Sequence, residues 1–129
     1  MDHEAMLPHP LAEVFAHLAT PSRLADWLPG ITGVRDGAAV SAGIGVEFGL
    51  RLCCDGRETP ATGELIAYEP PWCVAYRLLS GADRHVLRLT CTASGTATRV
   101  HVHQADSPAP LAVDLDRLRQ VLGAAGRPG

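Results

Sequence analysis

Between Pro10 and Gly30 the chain reads PLAEVFAHLATPSRLADWLPG, a stretch that spells two short amphipathic helices. Leu11, Val14, Phe15 and Leu18 recur at helical spacing and form one apolar stripe. Leu24, Trp27 and Leu28 repeat that spacing after a break at Thr20-Pro21, and Pro29-Gly30 stops the run. Proline at 10 and 21 suits a first helical turn, where its missing N–H is no loss. Strand-like runs and one final helix follow. That order points to a cup-shaped binding fold more than to any catalytic motif.

Asp2 to Leu7 reads as a first strand, because Leu7 and His9 both precede prolines and are pushed toward extended geometry. Turn signals then recur at Asp36-Gly37, Asp55-Gly56, Ser80-Gly81 and Ser94-Gly95. Between them lie apolar-rich runs near 31–35, 44–54, 62–69, 72–79, 84–93 and 97–104. Glu69-Pro70-Pro71 separates two of these, since proline cannot donate within a central ladder. Runs joined by short turns make an antiparallel meander.

Period-two alternation assigns the faces. Val46, Phe48, Leu50 and Leu52 share one side, opposite Glu47, Gly49 and Arg51. Trp72, Val74, Tyr76 and Leu78 oppose Cys73, Ala75 and Arg77, and His85, Leu87, Leu89 and Cys91 oppose Val86, Arg88 and Thr90. Val100 and Val102 oppose Arg99, His101 and His103. A sheet with one apolar face must wrap over something, and the last helix is the natural filling. Ser107 can cap it, Pro108 suits its first turn and Gly123 ends it. Leu111, Leu115, Leu118 and Leu122 form its stripe, with Asp114–Arg117 and Asp116–Arg119 pairs largely away from it.

A length of 129 residues makes one domain, 1–129, long enough to bury a real core. Eleven Arg, no Lys and a net charge of −3 give no electrostatic footprint for nucleic acid or an anionic membrane surface. The start Met1-Asp2-His3-Glu4 is acidic with no apolar region behind it, and no run is long enough to span a bilayer. A cytoplasmic protein without membrane insertion is expected. Cys53, Cys54, Cys73 and Cys91 contain no CxxC spacing and read as reduced, mostly buried thiols.

The chain resembles the SRPBCC superfamily, the START-like or helix-grip proteins, and especially its polyketide cyclase/dehydrase-like bacterial branch. The matching signs run almost its full length. They are Pro10-Leu11-Ala12-Glu13-Val14-Phe15, Leu24-Ala25-Asp26-Trp27-Leu28-Pro29-Gly30, Gly45 leading a strand, Gly63-Glu64-Leu65 running into Glu69-Pro70-Pro71, and Gly95-Thr96-Ala97-Thr98-Arg99-Val100. The resemblance implies an α+β helix-grip fold. In it a curved antiparallel sheet of six to seven strands grips a C-terminal helix in its concave face, with two short helices after strand 1. Members bind lipids, sterols, polyketides or hormones in the cavity between sheet and helix; some catalyse cyclisation and dehydration, and one branch acts as co-chaperones. The last helix here is short, which implies an open cavity mouth or closure by a partner subunit in a homodimer.

His101 and His103 share one strand face, yet a metal site needs a third ligand, and Arg99 beside them repels a cation. No metal and no cofactor are expected. His85 shares the apolar face with Leu87 and Leu89, where an imidazole can exchange a proton with a ligand carbonyl. Tyr76 and Trp72 can supply a phenol and an aromatic wall, and Trp27 can anchor the cavity entrance. No serine sits in GxSxG, Gly43 to Gly49 does not fit GxGxxG, and His3-Glu4 lacks the second histidine of HExxH. The expected function is binding of a small hydrophobic ligand by Trp27, Phe48, Leu50, Trp72, Tyr76, His85, Leu87 and Leu89. One alternative is a polyketide aromatase/cyclase in which His85 or Tyr76 moves protons; another is a co-chaperone-like interaction module.

Overall fold

The computed structural model describes residues 2–35, 45, 47–54, 56–81, 83–105 and 111–125. In chain order it contains β1 (Asp2–Leu7), α1 (Leu11–Leu18), a 3₁₀ helix (Pro21–Asp26), β2 (Ile31–Arg35) and β3 (Glu47–Cys54). Next come β4 (Arg57–Glu69), β5 (Cys73–Ser80), β6 (Asp83–Ser94), β7 (Ala97–Ala105) and α2 (Leu115–Ala125). The strands form one sheet in the order β1-β7-β6-β5-β4-β3-β2, antiparallel throughout. It is the expected helix-grip arrangement: a meander from β2 to β7, with β1 added beside β7. Gly81 and Gly95 hold φ of 59° and 62°, the left-handed backbone that lets β5–β6 and β6–β7 turn tightly.

The apolar stripe of α1 buries Val14, Phe15 and Leu18, and the helix packs on β6 and β7. The second expected helix is a 3₁₀ turn instead. Only six residues fit between Thr20 and the stop that follows, and the tighter winding uses them with an i→i+3 bond from Trp27 N to Leu24 O at 3.3 Å. Strand β4 starts at Arg57, earlier than the periodicity predicts, because Pro60 lies in the ladder opposite Arg51 without interrupting it. Cys73 and Ala75 are buried although alternation turns them outward. Arg88, the cross-strand partner of Ala75, reaches Cys73 Sγ at 3.3 Å and covers that patch.

The final helix begins at Leu115, not just after Ser107 and Pro108, which lie outside the described residues, as do the Asp36-Gly37 turn, Asp55 and Val46. Two tethers explain the late start. Gln104 on β7 donates its amide N–H to Leu111 O at 2.8 Å and accepts Leu111 N–H at 2.9 Å. Three residues on, Asp114 N donates to Trp27 O at 2.8 Å. With its backbone engaged this way, residues 111–114 are not helical, and Asp114 Oδ1 accepts Arg117 N–H at 2.9 Å and caps α2. Gly123 lies inside α2 rather than at its end. Leu111, Leu115, Leu118 and Leu122 are all buried, so the stripe holds although its first member precedes the helix.

At 11 residues α2 is about 16 Å long, whereas β4 with 13 residues runs roughly 43 Å. The helix packs on β1 and the 3₁₀ turn, and the 3₁₀ turn packs on β2. The core they enclose includes Trp27, Leu50, Leu65, Leu87 and Leu89, each with 0 % exposure.

Gln104→Leu keeps the volume but strands the Leu111 N–H and C=O in a buried position. We expect a loss of about 2–4 kcal/mol in urea unfolding. A change below about 1 kcal/mol would show that water or another group takes over both bonds.

Candidate ligand-binding site

The β3–β4 and β5–β6 hairpins close the same end of the sheet, and a cleft of about 430 Å³ opens between them. Arg57, Thr59, Pro60, Ser80, Gly81, Asp83 and His85 line it. Thr59 Oγ1 and Ser80 Oγ lie 3.0 Å apart, and one hydroxyl donates a hydrogen bond to the other across the two hairpins. His85 is only 2 % exposed. Burial holds its imidazole below the ordinary value of 6.5, against a weaker upward pull from Asp83. The group is therefore neutral at physiological pH, able to donate from one ring nitrogen and accept at the other.

Register joins this cleft to the concave face. One cross-strand row runs Phe48, Gly63, Leu78, His85, and the next runs Leu65, Tyr76, Leu87, Gln104. Phe48, Leu50, Tyr76, His85, Leu87 and Leu89 thus converge as the alternation predicts, all of them buried. Trp27 does not stand at an entrance. It is fully buried behind the 3₁₀ turn, and its indole Nε1 finds no hydrogen-bond acceptor among the described residues. Trp72 is not buried with them. Its N–H closes the β4–β5 turn on Glu69 O at 2.8 Å, its carbonyl accepts Cys91 N–H at 2.7 Å, and the residue is 55 % exposed.

The Tyr76 hydroxyl donates to Leu18 O at 2.7 Å. Burial pushes its pKa far up, so the phenol keeps its proton and is committed to a structural bond. His101 and His103 lie on the convex side of β7, where His103 Nδ1 is 2.5 Å and His101 Nε2 3.8 Å from Asp2 Oδ1 on β1. Among the described residues no group of three His, Cys, Asp or Glu is arranged to hold a metal ion. None of their helices is long and apolar enough to cross a membrane.

Alternation alone does not find Arg57, Thr59, Ser80 and Asp83 as cleft residues. They come together because two separate hairpins end side by side, a long-range coincidence that only the register of β4 with β5 reveals. The Ser80-Gly81 turn was the available local signal.

The fold recurs in solved structures. Protein CV1439 from Chromobacterium violaceum matches with a TM-score of 0.68 at 16% identity, covering 100% of this chain and 98% of that one. Ara h 8.0201 matches at 0.62 and 17% identity, covering 95% and 89%. DynU16, from the dynemicin biosynthetic locus, matches at 0.65 and 17% identity, covering 97% of this chain and 47% of its own. No curated protein matches the chain in sequence. The profile of the family described as polyketide cyclase/dehydrase and lipid transport matches residues 1–125. With that match along nearly its whole length and the sheet, paired short helices and terminal helix in place, the chain belongs to the polyketide cyclase/dehydrase and lipid transport family.

Proposed function

We propose that this protein binds a small, largely hydrophobic molecule on the concave face of its sheet, admitted through the cleft between the two hairpins. One observation carries the reading: a buried, neutral histidine joins an apolar face to an open cleft of about 430 Å³, a size within the usual range for small-molecule sites of about 300–1,000 Å³. Burial of the ligand's apolar surface supplies affinity at about 25 cal/mol per Å². His85 orients it by a hydrogen bond to a carbonyl or hydroxyl. The family description, which includes lipid transport, and the origin of DynU16 in a biosynthetic locus support the same ligand class. The commitment of the Tyr76 hydroxyl to Leu18 O favours binding over a proton relay through that residue.

A thermal-shift panel of fatty acids, sterols, flavonoids and polycyclic aromatics tests this. A ligand at 100 times its dissociation constant should stabilise by about 2.7 kcal/mol, or roughly 10 °C at this chain length. Ser80→Phe fills the cleft and should abolish the shift while moving the melting point of the free protein by only a few degrees. A full shift in that variant would move the ligand elsewhere, and no shift from any class would sink the reading.

His85 also sets a pH dependence. Above about 6.5 both folded and unfolded chains carry it neutral, and its contribution is undiminished. As pH falls from 6.5 toward the depressed native value, the unfolded chain binds a proton that the native chain refuses, so stability drops. Burial lowers His17 in the same direction, so the comparison must be a difference. His85→Gln should lose less stability than wild type between pH 7 and 5. Parallel profiles would show that His85 does not titrate in this window.

A further inference from the structure

We propose that the concave face holds a slot for a planar aromatic ring, and that the Phe48 side chain occupies this slot in the free protein. The inference rests on the concave-face binding reading above and names its ligand class.

Gly63 is the first indication. It lies in the interior of β4 between buried Ala61 and Leu65, where glycine weakens a strand. Its backbone is not left-handed, so conformation does not demand a glycine there. Space does. A Cβ at Gly63 would lie 2.4 Å from Cε2 and Cζ of Phe48 and 3.1 Å from Leu78 Cδ2. The ring therefore rests directly on bare backbone, a bed that a methyl group would destroy.

The walls of the bed suit an aromatic occupant. Tyr76 meets the Phe48 ring edge-on, with centroids 6.0 Å apart and planes at 84°, a favourable arrangement for two π systems. Leu78 forms the opposite side, and His85 pairs with Leu78 in the same row, so the slot adjoins the cleft.

Phe48 is held differently from its aromatic neighbours. Tyr76 is tied through its hydroxyl to Leu18 O, and Trp27 is enclosed behind the 3₁₀ turn with its carbonyl bonded to Asp114 N. Phe48 is the second residue of β3, and its ring, which has no hydrogen-bonding atom, packs on Gly63 and Tyr76 among the described residues. Rotation about χ1 can vacate the slot without breaking a hydrogen bond, and an incoming ring restores the same edge contact to Tyr76. A saturated ring is thicker and forfeits that contact. The slot therefore selects flat, unsaturated rings, and displacement of Phe48 lowers their apparent affinity by the fraction of molecules with the slot open.

The chain contains two phenylalanines, Phe15 and Phe48, so labelling with 4-fluorophenylalanine gives two ¹⁹F signals that a Phe15→Leu variant assigns. The probes are 2-naphthol and trans-decahydro-2-naphthol, which share an outline and a hydroxyl but differ in flatness. We expect saturating 2-naphthol to expose the Phe48 signal to broadening by a soluble nitroxide while the Phe15 signal stays protected. Phe48→Leu, which empties the slot, should bind 2-naphthol at least tenfold tighter than wild type, and the decahydro analogue should bind at least tenfold more weakly than 2-naphthol. If 2-naphthol raises the melting point while the Phe48 signal stays protected, or if both probes bind alike, the slot is refuted and the concave-face reading stands. If neither probe binds wild type or Phe48→Leu, the slot falls; if the wider ligand panel also fails, the concave-face reading falls with it.

Discussion

The seating of the helices on the sheet turns on one buried contact, the hydrogen bond from the Tyr76 hydroxyl to the Leu18 carbonyl. It joins the middle of the sheet to the last turn of α1, and so fixes how far the paired short helices enter the concave face. A curved sheet with one apolar side has to be filled, and here the filling comes largely from the N-terminal third of the chain. Leu18, Leu24, Trp27 and Leu28 are all fully buried. The C-terminal helix completes the core from the β1 side, held in place by Gln104 and the Trp27 carbonyl. Each tether satisfies a backbone group that burial would otherwise leave without water, which is why their loss is costly.

Most of this architecture could be read from periodicity. The stripe Leu11-Val14-Phe15-Leu18 and the alternations from Phe48 to Leu52 and from His85 to Cys91 each report a local rule, and local rules survive into the fold. The misreadings share a different cause. Trp72 is exposed because it sits in the β4–β5 turn, its N–H bonded to Glu69 O, beyond the end of β5 where no helix among the described residues covers it. The start of α2 follows tethers from Gln104 and the Trp27 carbonyl, contacts that no local capping rule reports. Arg57, Thr59, Ser80 and Asp83 meet only through tertiary register. The six buried members of the predicted ligand surface do converge, but a core face and a cavity wall obey the same alternation, so pattern alone does not separate packing from recognition.

Two kinds of polar group coexist on this apolar face. Tyr76 and Gln104 spend their hydrogen bonds on the backbone and serve as structural pins. His85 sits where the face meets the cleft, buried and neutral.

The cleft is built from the tips of two hairpins, whereas the core is built from strand centres and helices. Helix contacts fall on β1, β2, β6, β7 and the 3₁₀ turn, and strand register is set behind the tips by buried residues such as Leu50, Leu65 and Leu87. Apart from the Thr59–Ser80 hydrogen bond, the side chains of Arg57, Thr59, Ser80 and Asp83 at the cleft lie outside the buried core. The lip of the cleft can therefore change its chemistry at the hairpin tips with little cost to the core, whereas any change at His85 alters lip and core together.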